Sequence, residues 1–550
     1  MQDWLTERRR ATPERLALMS GTQQWTYAAL DTAVSAAAAH LHAQGVRPGD
    51  LVAVLLPNSF AYVCLIHALA RLGAVLVPLN TRLTPAELAW QIAHVRAPWL
   101  ITDEELSIEN CQLLIVNADW FTPAAPFAIH NSPFTRSTSS GQAIHNYQAV
   151  VFTSGTSGRP KGAMLTFANH FWSATASAYR LGVHTDDRWL SVLPLYHVGG
   201  LAVILRSCLY GTAVILHDRF DLDAVNHSLD AQGATLISLV PTMLQRLLQA
   251  RDHWPAALRL ILLGGAPAPP DLIQRANALP REPVFSNQRS VEGELAVHNS
   301  QFTHSASSGQ AIHNSQFPLV APTYGLTEAA SQVATMPPAE AARKPGSVGK
   351  PLLFTRVKIV DEQGRELPPG QPGEIVVSGP TVMAGYFTPQ SSIVNRQSSI
   401  VNRQSSIVNR QSSIPNRQSS IKTGDIGYLD ADGDLWLVQR RSDLIVTGGE
   451  NVYPAEVEAV LREHPAVEEV CVVGVPDPEW GQRVAAMAAV RGDVTAAELL
   501  RFARQRLAGY KIPRQMQLVN ALPLTASGKI AREQVARLLA GEPAGGDAAV

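Results

Sequence analysis

The stretch from Ala149 to Gly162, AVVFTSGTSGRPKG, joins a short apolar run to a dense group of hydroxyls, glycines and one lysine. The apolar run fits the end of a buried strand. The residues that follow offer backbone N–H groups and hydroxyls, which are donors to phosphate oxygens, and Lys161 adds a positive charge. These residues are Thr153, Ser154, Gly155, Thr156, Ser157 and Gly158. The stretch therefore predicts a phosphate-binding loop.

The neighbours of Lys161 distinguish this loop from the common mononucleotide-binding loop, in which Ser or Thr follows the lysine. Here Pro160 precedes Lys161 and Gly162 follows it, so we expect no helix to begin at this point. A cluster of Ser, Thr and Gly after a strand is also typical of a flexible loop without a ligand. Composition alone does not separate these two interpretations.

Two later segments place further polar groups after apolar strands. An apolar run over 258–263 ends in the tetrapeptide Gly264, Gly265, Ala266 and Pro267. Glycines at the carboxyl end of a strand form a turn or let a flat ligand approach the backbone, and open sheets bind ligands at these strand ends. In the segment TYGLTEAAS, Tyr324 can stack on a base, and Glu328 offers a carboxylate that suits magnesium.

Length and composition restrict the class of protein. A chain of 550 residues is too long for one ordinary core, so at least two domains are expected. With 17% charged residues and a net charge of -1, a surface for binding nucleic acid is not expected. The cysteines are scattered, and the N-terminus lacks the apolar core of a signal peptide. No apolar run approaches the roughly 20 residues that span a bilayer, so we expect a soluble, cytoplasmic protein.

The elements that position these residues follow an alternating pattern. Apolar residues recur at helical spacing over 25–41 and 60–72, and strand-like runs follow each of them. Thr84, Pro85 and Glu87 provide an N-cap, a first-turn proline and a capping-box glutamate for a helix through Val95. Alternating strands and helices predict an α/β sheet with helices on its faces.

Three segments depart from this pattern. Residues of about 117–148 and 285–317 are polar, and both contain the octet SSGQAIHN. Residues 390–422 repeat QSSIVNR three times and then vary it. A coiled coil is not favoured, because each repeat has only adjacent Ile and Val and no separated a and d positions. We interpret all three as low-complexity insertions in loops, with a module for binding a partner as the alternative.

The string TSGTSGRPKG resembles the phosphate-binding signature of adenylate-forming enzymes, a superfamily that includes acyl-CoA synthetases and peptide-synthetase adenylation domains. The segments GGAP, TYGLTE and TGD match later family motifs in the same order. This resemblance covers nearly the whole chain apart from the three insertions. It implies an α/β fold with a large N-terminal domain of α/β subdomains and a small α+β C-terminal domain.

The resemblance implies a role for each matching residue. The GGAP loop would contact adenine, Asp425 would hold the ribose hydroxyls with help from Arg440, and Glu328 would hold magnesium. His197 would line the acid pocket, although a buried structural histidine is the alternative. Lys529 would reach the carboxylate and the α-phosphate during adenylation, unless it is a solvated surface charge. Further nucleotide or thiol contacts would come from Gly325, Thr327, Gly448 and Gly449.

The expected domains are a large domain over 1–439, a hinge over 440–443 and a small mobile domain over 444–550. The family places its hinge residue at Ser442 and rotates the small domain between its two half-reactions. Gln439 stands where the family usually has a glycine, and the heptapeptide repeats replace a Gly-Trp turn before TGD. The position of Asp425 is therefore the feature that the insertions put most in question.

The expected activity is an ATP-dependent acid-thiol ligase, with ATP, magnesium and coenzyme A as the small molecules that it uses. The segment LPLYHVGGLAVILRSCLYGTAVIL resembles the o-succinylbenzoate-CoA ligases of menaquinone biosynthesis. In this segment the small residues Gly199 and Gly200 would leave room for an aromatic ring. A fatty-acid or aryl-acid CoA ligase is an alternative, as are a carrier-protein-loading adenylation protein and a non-catalytic relative disabled by its insertions. A homo-oligomer is left open.

Overall fold

The computed structural model describes residues 3–106, 108–109, 111–122, 147–153, 160–266, 268–282, 318–388, 420–439, 444–523 and 530–541. The predicted loop residues 154–158, Pro267, the hinge 440–443 with Arg440, and Lys529 lie outside the described residues. Most of the three predicted insertions also lies outside them.

The elements are numbered in chain order. The α-helices are α1 (Trp4–Ala11), α2 (Tyr27–Gln44), α3 (Phe60–Leu72), α4 (Pro85–Val95), α5 (Phe167–Leu181), α6 (Val198–Tyr210), α7 (Leu222–Asp230), α8 (Pro241–Ala250), α9 (Pro270–Ala278), α10 (Pro338–Ala341), α11 (Pro454–Arg462), α12 (Ala496–Arg504) and α13 (Arg532–Ala540). The strands are β1 (Leu16–Ser20), β2 (Gln23–Thr26), β3 (Leu51–Leu55), β4 (Val75–Pro78), β5 (Trp99–Thr102), β6 (Gln112–Ile115), β7 (Tyr147–Thr153), β8 (Lys161–Thr166), β9 (Arg188–Ser191), β10 (Ala213–Leu216), β11 (Leu236–Leu239), β12 (Leu260–Leu263), β13 (Val320–Leu326), β14 (Ser331–Thr335), β15 (Ser347–Gly349), β16 (Arg356–Val360), β17 (Gly373–Ser378), β18 (Gly385–Tyr386), β19 (Ser420–Leu429), β20 (Leu435–Gln439), β21 (Ile445–Thr447), β22 (Glu450–Val452), β23 (Val467–Asp477), β24 (Gly481–Val490) and β25 (Gln515–Val519).

The first sheet carries the predicted phosphate loop and has the strand order β18-β8-β7-β4-β3-β5-β6. Strands β3 to β7 pair in parallel, and helices connect several of them. Strands β7 and β8 are antiparallel, with Thr153 opposite Lys161. A strand and not a helix therefore follows the loop, in agreement with the expectation that no helix begins at Lys161.

The second sheet has the order β14-β13-β12-β11-β9-β10-β1-β2. Strands β12 and β13 are parallel neighbours, with Leu263 opposite Pro322. Since the carboxyl ends of parallel strands meet at one edge, the GGAP and TYGLTE segments lie side by side. The buried run Leu260–Leu263 contributes to two cores, because Ile261 and Leu263 pack with residues of α7 and α8, whereas Leu260 and Leu262 belong to the first core.

The third sheet, β15-β20-β19-β17-β16, is antiparallel and carries the segment TGDIGYL. Strands β19 and β20 are antiparallel neighbours joined by a short turn, and Asp425 lies within β19. Ordered structure also extends into two of the predicted insertions, 117–148 and 390–422, so the predicted boundaries are wrong at these ends. Trp120 is 4% exposed in a turn of 3-10 helix, Tyr147 begins β7, and Ser420 begins β19.

The last part of the chain forms a smaller sheet, with β22-β21-β24-β23 in order and β25 beside β24. Helices α11, α12 and α13 cover it. Its two core clusters use residues from Ile445 to Leu539, whereas the four core clusters of the preceding part use residues from Leu5 to Leu437. The prediction of a large α/β domain followed by a small α+β domain is confirmed.

Local sequence signals also held in detail. Helix α3 spans the predicted residues, and α4 begins with a complete capping box between Thr84 and Glu87. All four cysteines are free thiols, in agreement with their scattered spacing. Within the described ranges, every helix is too short or too polar to cross a bilayer.

Candidate active site

A cavity of about 1000 Å³ lies where the strand ends of the first two sheets meet the β19–β20 hairpin and the small domain. Most of the described residues that the sequence singled out line this cavity. They are Thr153, His197, Gly264, Gly265, Gly325, Thr327, Glu328, Asp425, Gly448 and Gly449. Tyr324 and Lys161 do not line the cavity, but Tyr324 contacts the lining residue Asp425 and Lys161 contacts the lining residue Tyr386. Ala266, which follows Gly265, also lies outside the lining.

Tyr324 and Asp425 come together across two sheets. The Tyr324 hydroxyl donates to Asp425 Oδ2 over 2.6 Å, and Tyr324 is 2% exposed. The backbone N–H of Asp425 donates to Thr423 Oγ1 over 3.1 Å, which fixes the carboxylate at the cavity wall. Asp425 thus lies beside the TYGLTE segment despite the heptapeptide repeats before it, because a long polar loop adds little closure entropy.

Glu328 occupies a turn of 3-10 helix directly after β13. Its Oε1 accepts hydrogen bonds from the Tyr386 hydroxyl at 2.7 Å and from Thr153 Oγ1 at 3.4 Å. Lys161 Nζ lies 5.3 Å from the centre of the Tyr386 ring, within range of a cation–π contact. The carboxylate, the hydroxyl and the lysine thus surround the two strand ends from which the predicted phosphate loop departs. A carboxylate in this position fits a magnesium ion with its remaining coordination open to phosphate and water.

The two positions after β12, Gly264 and Gly265, require glycine for different physical reasons. A Cβ atom on Gly264 would lie 2.7 Å from Thr323 Cγ2, so a side chain would separate β12 from β13. Gly265 has φ of +79°, a left-handed conformation that glycine adopts without strain. Both residues leave the backbone bare at the cavity, which is the condition for close approach of a flat ring.

Arg206 of α6 also lines the cavity, and the sequence analysis did not identify it. The side chain is 2% exposed, and Nη2 donates to Ser173 Oγ over 3.1 Å. Its Nε is buried without a hydrogen-bond partner, and within the described residues no acidic side chain forms an ion pair with it. Burial lowers the pKa of this guanidinium, which still remains a cation at neutral pH. A buried cation of this kind favours an anionic ligand group.

His197 forms the N-terminal cap position of α6 and contacts the small domain. Its Nε2 lies 3.2 Å from Glu450 Oε2, and the Tyr196 hydroxyl donates to Glu450 Oε1 over 3.0 Å. Glu450 is 3% exposed. Burial would raise the pKa of this carboxyl, but its electrostatic interactions with His197 and Arg82, together with the hydrogen bond from the Tyr196 hydroxyl, outweigh burial and lower it.

The glycines beside His197 do not share one function. Gly199 lines the cavity, with its nearest neighbour a Leu193 methyl at 3.6 Å from a notional Cβ. A Cβ on Gly200 would lie 2.3 Å from the Pro194 carbonyl oxygen, so this glycine permits α6 to begin against the preceding backbone. The expectation that both glycines make room for a ring is therefore retained only for Gly199.

Gly448 and Gly449 form the turn between β21 and β22 and face the large domain. Both have positive φ, at +57° and +85°. A Cβ on Gly448 would come within 2.6 Å of the Trp480 ring, and the Gly448 N–H donates to the Trp480 carbonyl over 2.9 Å. This bare turn and Trp480 form the small-domain side of the cavity, in agreement with a channel for an extended ligand.

Two groups of contacts are used below. The large-domain cluster consists of Thr153, Tyr324, Glu328, Tyr386 and Asp425. The interdomain cluster consists of Asn80, Glu87, Tyr196 and His197 from the large domain and Glu450, Glu456, Tyr510 and Lys511 from the small domain. Sequence reasoning missed Tyr386, Arg206, Glu450 and Lys511 as site residues. Arg206 lies inside the quoted segment LPLYHVGGLAVILRSCLYGTAVIL and Glu450 directly follows Gly449, but the pattern gave neither residue a role. For Glu450, Lys511 and Tyr386, the contacts that indicate a role join residues distant in the chain.

Comparison with protein-family models identifies the family. Residues 5–287 and 306–387 match the AMP-binding enzyme model, and residues 456–529 match the AMP-binding enzyme C-terminal domain. The chain therefore belongs to the AMP-binding enzyme family.

Among curated proteins, the chain is 38% identical to a 2-succinylbenzoate--CoA ligase of Bacillus licheniformis over 97% of this chain and 99% of that protein. Among solved structures, it resembles o-succinylbenzoate CoA synthetase from Bacillus subtilis. A double mutant of that enzyme bound with its product analogue OSB-NCoA has a TM-score of 0.79 at 36% identity, covering 97% of this chain and 98% of that one.

The same Bacillus subtilis enzyme in complex with ATP and magnesium gives a TM-score of 0.64, also at 36% identity, with 97% of this chain and 99% of that chain covered. Identity and coverage are nearly the same in the two comparisons, so the difference between the two TM-scores reflects three-dimensional shape and not sequence similarity. The present structure is therefore more similar in overall shape to the product-analogue complex than to the complex with ATP and magnesium.

Proposed function

We propose that this chain is an ATP-dependent ligase that joins o-succinylbenzoate to coenzyme A through an acyl adenylate, as a step of menaquinone biosynthesis. The names of its relatives support this activity, and Arg206 in the cavity wall, which has no acidic partner among the described residues, supports the substrate. o-Succinylbenzoate carries two carboxylates on an aromatic scaffold, and only one of them is activated. The second needs a cationic partner in a buried pocket.

In the first half-reaction, a carboxylate oxygen attacks the α-phosphate of ATP, and pyrophosphate leaves. The mixed anhydride that forms is a much better acyl donor than the free carboxylate. In the second half-reaction, the thiol of coenzyme A attacks the acyl carbon and AMP leaves. Catalysis consists mainly of positioning the reactants and neutralising charge.

The residues of the chain divide this work. Asp425, held by Tyr324, would accept the ribose hydroxyls, and adenine would lie against the bare backbone at Gly264 and Gly265. Lys161, Lys529 and the loop residues 154–158 would contact the phosphates. Glu328 would hold a magnesium ion, which neutralises phosphate charge when bound. Gly448 and Gly449 would line the approach of the thiol.

The experiment is a pyrophosphate-release screen of the wild type and of Arg206→Met with o-succinylbenzoate, benzoate and a fatty acid, each with and without coenzyme A. We expect o-succinylbenzoate to be preferred by the wild type. Arg206→Met should raise the KM for o-succinylbenzoate at least tenfold and leave the KM for ATP unchanged, because one charge-assisted hydrogen bond is lost.

Arg206→Lys is the matched control, since it keeps the positive charge and should retain part of the affinity. The melting temperature provides a second measurement. Loss of an unpaired buried charge should leave thermal stability unchanged or higher. A preference for fatty acids in the wild type would contradict the assigned substrate. Thioester formation on a carrier protein but not on coenzyme A would favour the carrier-loading alternative, and no pyrophosphate release with any acid would favour a non-catalytic relative.

A further inference from the structure

One ion-pair group connects the two domains away from the reacting atoms. Lys511 of the small domain is 3% exposed, and its Nζ lies 2.6 Å from Glu87 Oε1 and 2.7 Å from Glu456 Oε1. Glu456 belongs to α11 in the same domain as Lys511, whereas Glu87 belongs to α4 in the large domain. The pair Lys511–Glu456 is therefore internal to the small domain, and the pair Lys511–Glu87 exists only while the domains are docked as they are here.

The docked arrangement places two carboxylates on one buried lysine. Burial raises the pKa of Glu456, Lys511 opposes that effect, and the neighbouring charge of Glu87 adds to it. Glu456 Oε2 is also buried without a hydrogen-bond partner. The small domain alone already supplies a counterion for Lys511. Glu87 is thus a second counterion for Lys511, and this ion pair stabilises the contact between the two domains.

Lys511 connects the ion pair with Glu87 to the candidate active site. Lys511 and the adjacent Tyr510 line the cavity, and the Asn80 side chain donates to both the Tyr510 hydroxyl and Glu450 Oε2 over 3.3 Å. Glu87 itself is not part of the lining. A change at Glu87 therefore acts on the reaction through the position of the small domain and not through contact with a substrate.

We propose that Glu87 is a positioning residue for the second half-reaction: by pairing with Lys511 it stabilises the domain arrangement in which the thioester forms. This proposal rests on the proposed function. It predicts that removal of the Glu87 charge lowers the population of the docked arrangement and leaves adenylation, which uses another arrangement, unimpaired.

Glu87 has a separable structural function, which makes a clean test available. Its other oxygen, Oε2, accepts from the Thr84 N–H at 2.8 Å and from Thr84 Oγ1 at 2.9 Å, completing the capping box of α4. Gln also serves at this capping position, so Glu87→Gln removes the charge and keeps the cap. Thr84→Ala is the reverse control, since it removes the capping side chain and keeps the charge.

The two half-reactions are measured separately with the full-length protein. Adenylation is followed by exchange of pyrophosphate into ATP in the presence of o-succinylbenzoate. Thioester formation is followed in a single turnover from supplied o-succinylbenzoyl adenylate and coenzyme A. We expect Glu87→Gln to slow the single turnover about tenfold, as is typical of a coupling through one charged contact, with exchange unchanged. Thr84→Ala should leave the ratio of the two rates at the wild-type value.

Energy transfer between dyes attached to the two domains measures the docked fraction. A change in the stability of α4 alone would not alter this fraction. With coenzyme A and a non-reactive adenylate analogue, Glu87→Gln should show a smaller docked fraction than Thr84→Ala. An equal loss in both half-reactions, or the same change of ratio in both variants, would overturn the positioning role. Absence of o-succinylbenzoate-dependent exchange in the wild type would instead contradict the proposed function.

Discussion

The large-domain cluster and the interdomain cluster differ in what they need in order to exist. The contacts of Tyr324 with Asp425 and of Glu328 with Tyr386 join residues of one domain. The contacts of His197 with Glu450 and of Lys511 with Glu87 join residues 253 and 424 positions apart in two domains. The first cluster is complete in any arrangement of the domains, whereas the second is assembled by docking. We therefore propose that the groups for the nucleotide are present in any arrangement of the domains, and that the environment of the thiol forms only on docking.

The sharpest test of this difference is Lys529→Ala. Adenylation brings an anionic carboxylate to an anionic phosphate, and Lys529 is the predicted cation between them. The variant should lose pyrophosphate exchange by orders of magnitude, because a well-placed charge contributes several kcal/mol at the transition state. It should still convert a supplied acyl adenylate and coenzyme A to thioester at a rate near that of the wild type. Equal damage to both steps would mean that the two environments are not separable.

The next largest effect is expected within the large-domain cluster. Asp425→Ala removes charge-assisted hydrogen bonds to the ribose, each contributing roughly 1.5 to 3 kcal/mol in favourable cases. ATP affinity, measured by calorimetry, should fall at least tenfold. Tyr324→Phe keeps the carboxylate and removes only its hydroxyl partner, so it should have a smaller effect in the same direction. Unchanged ATP binding in Asp425→Ala would separate this aspartate from the nucleotide.

The smallest expected effect is an acid response of the interdomain cluster. The pKa of docked Glu450 is lowered from its ordinary value of 4.5, so its charge stabilises docking above about pH 4.5. That contribution is lost as the pH falls from 4.5 through the docked value. The docked fraction, measured by energy transfer from about pH 6 to about pH 3, should therefore decline mainly below about pH 4.5.

Glu450→Gln is the control for this titration, because it lacks the titrating carboxyl. The raised pKa of Glu456 acts in the opposite direction, since its unfavourable charge is relieved as the pH falls. Glu456 is present in both proteins, so the difference between their titration curves isolates Glu450. Identical curves would show that Glu450 does not contribute to the acid response.

Much of this protein follows from sequence signals that act over a few residues. The capping box at Thr84 and Glu87, the glycines after β12 and the strand after the phosphate loop depend on local backbone geometry, which neighbouring residues determine. The order of the short motifs along the chain was sufficient to predict the family and the two-domain fold. In the structure, those motifs meet at the strand ends of one domain.

Only the tertiary structure decided which isolated residues became partners. The apolar residues around Arg206 in α6 indicate burial, but nothing local shows what it faces, and nothing local distinguishes Glu87 from an ordinary capping glutamate. Arg206 becomes a candidate substrate group because the surrounding helices bury it without an acidic partner. Glu87 gains its second contact because docking brings Lys511 to its free oxygen. Both properties depend on burial and on long-range charge pairing, which the spacing of residues along the chain does not encode.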